Sequence, residues 1–276
     1  MPASSPAETY LLDYHRRHAG ATTRAFASLP ARRGADTLPS SYACLVTEVP
    51  DDGRPRTVLD LGCGDGALLA LLAQQRTPGL TLLGLDLSEH ELASARARLG
   101  RAATLHQGRA QALPFADASI DRVLSHLALM LMDDVETVLA EVRRVLRPGG
   151  RVSVVVPGTR PPTEAVATFV QAVRASHAVP SLPLGDARVR SGEGLRGLFG
   201  AGFRLQSDVE LEVIGDGPPE RVWESLATTY DVDRMSEESR AALRTAFLTA
   251  VAPLLRSDGV LPYRWGLRQL TATREP

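Results

Sequence analysis

An α/β fold wound around a mostly parallel sheet is what this sequence predicts. Three features carry that expectation. Short apolar or β-branched runs alternate with amphipathic stretches from Arg56 to Val156. A turn with three glycines, Gly62-Cys63-Gly64-Asp65-Gly66, follows the first of those runs. Capping residues stand where the intervening helices should open. Strands alternating with helices imply β-α-β crossovers and therefore parallel neighbours.

Residues 1–55 are helical in character, with breaks at Gly20, Pro30, Gly34 and Pro39. Arg56–Leu61 reads as the first strand, Ala67–Gln75 as a helix and Leu80–Asp86 as the second strand. Ser88 with Glu91 forms a capping-box opening for a helix ending at Leu99. Ala103–Gln107 and Ile120–Ser125 are the third and fourth strands. Asp133 with Glu136 should cap a helix to Leu146, closed by Pro148-Gly149-Gly150, before a fifth strand at Arg151–Val156. Beyond it, Thr163–His177 and Ser191–Gly200 read as helices. Phe203–Ile214 and Val260–Thr273 are long strand-like segments, separated by helical stretches near Pro219–Tyr230 and Ser236–Arg256. That order predicts an antiparallel terminal hairpin carrying a helical cap.

The chain has 276 residues, 44% of them apolar, enough for a sizeable core. All 31 basic residues are Arg, against 32 acidic ones, for a net charge of −1. The absence of Lys excludes a Schiff-base lysine and a Walker-type phosphate loop. Asn is absent too and Ile occurs only at 120 and 214, a bias toward GC-rich codons. The near-zero charge argues against a dedicated nucleic-acid binder. Cys44 and Cys63 lack metal-ligand spacing, so no metal is expected. No basic segment followed by an apolar run opens the chain, and Ala67–Ala73, the longest apolar run, is far short of a membrane span. A cytoplasmic protein without a membrane partner is the expectation.

Gly62, Gly64 and Ala67 formally satisfy a dinucleotide fingerprint, and a plain strand-to-helix turn would use the same glycines. Asp60, two residues before Gly62, would repel a pyrophosphate and attract an ammonium group. Asp86, at the end of the second strand, can accept both hydroxyls of a ribose. A ribose plus a cationic amino-acid arm describes S-adenosylmethionine.

Four segments in order, Val58–Gly66, Leu83–Ser88, Ala112–Phe115 with Ser119–Asp121, and Glu141–Gly150, resemble the class I S-adenosylmethionine-dependent methyltransferases. The likeness is to the small-molecule branch that includes the ubiquinone/menaquinone-type enzymes, and it covers about 100 residues. It implies a Rossmann-like seven-stranded sheet, last strand antiparallel. The chain would then be one domain: N-terminal lid helices (1–55), a core sheet (56–214 and 259–276) and an inserted helical cap (215–258). In the family the glycine loop holds the methionine part and the acid after strand two the ribose. The resemblance therefore assigns Asp60, Gly62, Cys63, Gly64 and Asp86 to S-adenosylmethionine, with Leu87 on one face of the adenine and Ser125 beside the methionine arm. Where the family commonly has Gly-Asp-Ala, this chain reads Gly108-Arg109-Ala110-Gln111. Arg109 cannot accept a hydrogen bond from the adenine amino group. Either the Ala110 backbone and Gln111 do so, or Arg109 stacks on the ring.

His126, at the end of strand four, is the best-placed general base, with an ordinary pKa of about 6.5; as a base it would make the rate fall as pH drops through that value. Tyr14 and His18 from the N-terminal helix, Met130, and His177 and Trp223 from the cap side are the candidate walls of an acceptor pocket. The D/N-P-P-Y/F signature of enzymes that methylate exocyclic amines of DNA bases is absent. The expected activity is methyl transfer to a small organic acceptor, on oxygen in secondary metabolism first and on carbon next, by a monomer or homodimer. A non-methylating S-adenosylmethionine-binding protein and an NAD(P)-dependent oxidoreductase are the alternatives.

Overall fold

The computed structural model describes residues 5–159, 163–176, 182–200 and 202–276. In chain order the elements are α1 (Pro6–Arg17), α2 (Ala21–Phe26), β1 (Ala31–Arg33), β2 (Asp36–Leu38), α3 (Ser41–Val46), β3 (Arg56–Leu61), α4 (Ala67–Gln74), β4 (Leu80–Asp86), α5 (Glu89–Leu99), β5 (Thr104–Gln107), β6 (Ile120–His126), α6 (Val135–Val145), β7 (Leu146–Pro157), α7 (Glu164–Ser176), α8 (Gly192–Leu198), β8 (Phe203–Gly217), α9 (Pro219–Leu226), α10 (Tyr230–Asp233), α11 (Glu237–Val251) and β9 (Leu261–Arg274).

The strands form one sheet in the order β2-β1-β8-β9-β7-β6-β3-β4-β5. The five strands from β5 to β7 are parallel neighbours. β9 lies antiparallel between β7 and β8, so of the seven core strands only the last is reversed. Chain order reverses at β3, which has β4 on one side and β6 on the other. A crevice at the carboxyl ends of strands flanking such a switch point is where doubly wound sheets bind ligands.

Helices cover both faces. α6 places Val135, Val138, Leu139, Val142 and Val145 in one buried stripe, a 3.6-residue repeat in which each side chain contributes about 1.5–3 kcal/mol on burial. It packs in one core layer with Leu195 and Phe199. α3 and α4 supply the opposite layer through Leu45, Leu68, Leu69 and Leu72. A third core joins α7, α9 and α11 through Phe169, Trp223 and Phe247. The cap is therefore wider than the 215–258 insertion, because α7 packs with it.

Two details correct the sequence expectation. Residues 31–38 form a hairpin, not helix or loop, and extend the sheet to nine strands through pairing of Ala31 with Val213. Its polar sequence gives no strand pattern because the edge of β8 supplies the hydrogen bonds. The N-cap of α6 is Asp134, left-handed at φ 49° and without a side-chain cap bond. Asp133 does not cap at all: its carboxylate accepts from Ser5 Oγ at 2.8 Å. Among the described residues, no helix is long and apolar enough to cross a membrane.

Candidate functional site

The carboxyl ends of β3, β4, β5 and β6 surround a cavity of about 160 Å³. Gly62, Gly64 and Gly66 all have positive φ (73°, 50° and 78°), so the chain turns there in conformations that side chains resist. The turn is sewn to β4: the Gly62 and Cys63 N–H groups both donate to the Leu85 carbonyl, at 2.8 and 3.0 Å. The two later glycines serve different ends. A Cβ on Gly66 would meet Leu99 Cδ1 at 2.8 Å, so its smallness permits helix packing. A Cβ on Gly64 would meet nothing nearer than Glu91 Oε2 at 4.0 Å, so its smallness keeps the cavity open.

Asp86 closes the other side. Its two oxygens accept from the Gly64 and Ser88 N–H groups, each at 2.8 Å. Burial pushes its carboxyl above the usual range, against the pull of those two bonds. Asp60, 2% exposed, is pushed well up by burial and then by the neighbouring Asp86 and Asp65. No ion pair among the described residues neutralises Asp60 or Asp86. Such a cluster is complementary to a buried cation. The sulfonium and ammonium of S-adenosylmethionine match it, and the lone pairs left on Asp86 suit ribose hydroxyls. A pyrophosphate does not fit this wall.

Leu87, Gly108, Arg109, Ala110 and Gln111 line the same cavity. Arg109 turns away from the role of a free stacking group: its Nη1 donates to Glu8 Oε1 of α1 at 2.6 Å. Gln111 donates through Nε2 to the Asp133 carbonyl. Ser125 is 1% exposed and is not part of the cavity wall, a correction that follows from strand alternation: His126, its neighbour, faces the cavity instead.

Burial works against the role of general base that the position of His126 suggests. Its ring stacks on Tyr42, centroids 3.7 Å apart, and Nε2 shares a hydrogen bond of 2.8 Å with Ser41 Oγ. Full burial lowers its pKa to about 3, because the charged imidazolium loses its water. The imidazole is therefore neutral at physiological pH, and its Nδ1 has no partner. Leu127, the next residue, is held at φ 52°, strained for a leucine.

α1 lies across the cavity and is tied on two sides. Toward the core, Glu8 meets Arg109 and His15 Nδ1 meets Glu91 Oε1 at 2.8 Å. Glu91 also accepts from the Gly20 N–H at 3.0 Å. Toward the cap, the Tyr14 hydroxyl donates to the Thr228 carbonyl at 2.6 Å, and Tyr10, Arg17 and His18 converge on Asp233. Arg17 holds the Asp233 carboxyl down at about 2. Glu8 and Glu91 escape sequence reasoning. Glu91 reads only as a helix-opening acid and Glu8 carries no signal, and only the packing of distant elements reveals their partners.

A second cavity of about 210 Å³ adjoins the first, sharing Thr22, Leu127 and Tyr230 with it. Tyr14 and Met130 line it. The other acceptor-side candidates lie elsewhere. His18 pairs with Asp233 at 3.0 Å on the outer side of α1. Trp223 packs against Phe169 and Phe247 inside the cap, 5% exposed, where its apolar area is best buried. His177 lies outside the described residues.

Comparison with known proteins agrees with this geometry. Residues 59–154 match the methyltransferase domain family. The malonyl-acyl-carrier-protein O-methyltransferase of Xylella fastidiosa is 36% identical over 143 residues, 50% of this chain and 48% of that protein. The demethylmenaquinone methyltransferase of Lactococcus lactis is 42% identical over 100 residues, 35% of this chain and 40% of that one. The chain thus spans less than half the length of these curated relatives. Among solved structures, the 4+2 cyclase SpnF shares the fold with a TM-score of 0.58 and 19% identity, covering 99% of this chain and 97% of that one. The glycine turn, the acid after β4 and the sheet order agree with that match, and residues 59–154 are those of a methyltransferase domain.

Proposed function

We propose that this chain transfers the methyl group of S-adenosylmethionine to an oxygen of a small organic acceptor, as a tailoring step in secondary metabolism. One observation carries the reading: the buried Asp60 and the half-buried Asp86 face an open glycine cradle with no ion-pair partner among the described residues, beside a second cavity able to hold an acceptor. The choice of oxygen leans on the O-methyltransferase named among its relatives.

When bound, S-adenosylmethionine supplies an electrophilic methyl group on a sulfonium. Asp60 and the Gly62–Gly64 backbone would hold the amino-acid arm, Asp86 the ribose hydroxyls, and Leu87, Ala110 and Gln111 the adenine. Arg109 latches the lid through Glu8. Alignment is the main contribution of the fold, since the electrophile is already activated. His126 stays neutral and offers Nδ1 as a hydrogen-bond acceptor. Its weak basicity matters little late in the transfer, when the acceptor hydroxyl turns strongly acidic as its oxygen gains the methyl. A second reading, a catalyst that binds the cofactor without methylating, draws on that same weak base.

The test is mass spectrometry of reactions containing S-adenosylmethionine and a panel of phenols, alcohols and carboxylic acids. Methyl ethers or esters formed with stoichiometric S-adenosylhomocysteine support the proposal. Tight cofactor binding with no methylated product across the panel overturns it in favour of the second reading.

A further inference from the structure

We infer that the second cavity selects an uncharged, largely apolar acceptor. The inference rests on the proposed methyl transfer and adds the substrate class.

The cavity lies between α2, the sheet end and the cap. Phe26 comes from α2, Leu127 and Met130 follow β6, Trp265 comes from β9, and Thr229 and Tyr230 come from the cap. Among the described residues that line it, none is Asp, Glu, Arg or His. Its two tyrosines stay protonated, for burial raises the Tyr14 pKa to about 12 and pushes that of Tyr230 higher still. A carboxylate or ammonium entering here would lose its water and meet no opposite charge. An aromatic or terpenoid body would meet aromatic faces and apolar side chains. The wall shared with the cofactor cavity, at Thr22, Leu127 and Tyr230, is where the reacting oxygen would have to reach.

Calorimetry near neutral pH tests this with two probes of one shape, 2-naphthol and 2-naphthoate, on protein saturated with S-adenosylhomocysteine. 2-Naphthol should bind at least about tenfold more tightly, since only the carboxylate must shed its hydration unpaired. Ala25→Trp, which fills the cavity from α2, should weaken 2-naphthol by at least about tenfold while S-adenosylhomocysteine affinity stays within about twofold. Met130→Trp repeats the block from the opposite wall if the first variant fails to fold. Equal or tighter binding of 2-naphthoate, or 2-naphthol binding indifferent to both blocking variants, overturns the inference. If S-adenosylhomocysteine itself fails to bind while 2-naphthol keeps this pattern, the cavity assignment stands and the methyl-transfer reading falls.

Discussion

The two cavities of this protein meet at Thr22, Leu127 and Tyr230 yet are built by opposite means. The first cavity is acidic and comes mostly from the ends of four parallel strands and the turns after them: Asp60 and the glycine turn from β3, Asp86 from β4, Ala110 after β5 and His126 from β6. The second cavity is uncharged and is assembled from α2, the β6–α6 connection, the cap and β9. The contrast teaches where specificity resides. The first wall follows from the sheet's topology, whereas the second joins side chains from elements far apart in the chain.

That contrast can be broken or sharpened by substitution. The largest effect is expected at Asp86. Asp86→Ala should weaken S-adenosylhomocysteine binding by about 2–4 kcal/mol, through loss of a charge-assisted contact and of the Gly64 and Ser88 bonds. Calorimetry with 2-naphthol on the same variant should find the second cavity unchanged. If both affinities collapse together, the cavities are not separable. Next come two neighbouring glycines. Gly66→Val should lower thermal stability by about 2–4 kcal/mol because its side chain collides with Leu99 and Ala95. Gly64→Val shares the strain of a positive φ but not the collision, so it should destabilise less than Gly66→Val and lose the cofactor, since its side chain enters open cavity. Melting curves with and without S-adenosylhomocysteine separate the two, and identical behaviour would mean that the turn is purely structural.

His126 gives a smaller, pH-dependent effect. Its folded pKa of about 3 lies below its ordinary 6.5, so the unfolded chain binds a proton that the folded chain refuses between those values. Stability is full above 6.5 and is lost progressively as pH falls toward 3, by about 1 kcal/mol near pH 5.5. Denaturant titrations should show a shallower slope over that window for His126→Gln than for wild type. Methyl transfer, for its part, should show no inflection from His126 between pH 5 and 8. An inflection near 6.5 that vanishes in the variant would restore it as the base. The smallest effect is expected at the lid. Asp233→Asn weakens the contacts of Arg17 and His18 with the cap and should speed S-adenosylhomocysteine release about 2–5-fold by stopped flow.

Much of the sheet and of the first cavity's wall was legible in the sequence because both depend on local chemistry. A strand must end before Gly62, and an acid at residue 86 must follow the next strand, for a turn of this kind to hold a ribose. The hairpin at 31–38 was illegible, since its partner Val213 lies far along the chain. The fate of Arg109 was illegible for the same reason: Glu8 stands about 100 residues away. Trp223 shows the converse error, a residue type common in pockets that is spent on the cap's own core. His126 was found at the right place with the wrong chemistry, because sequence gives position on a strand but not the burial that removes its charge.

The central claim is that unneutralised carboxylates in the glycine cavity recognise a cationic nucleoside. Titrating wild type and Asp60→Asn with S-adenosylhomocysteine, 5′-methylthioadenosine and NAD tests it directly. S-adenosylhomocysteine should bind wild type about 10–100-fold more tightly than 5′-methylthioadenosine, which lacks the charged arm, and Asp60→Asn should narrow that gap. NAD should not bind measurably. Equal affinity for the first two, or tight binding of NAD, would contradict the account.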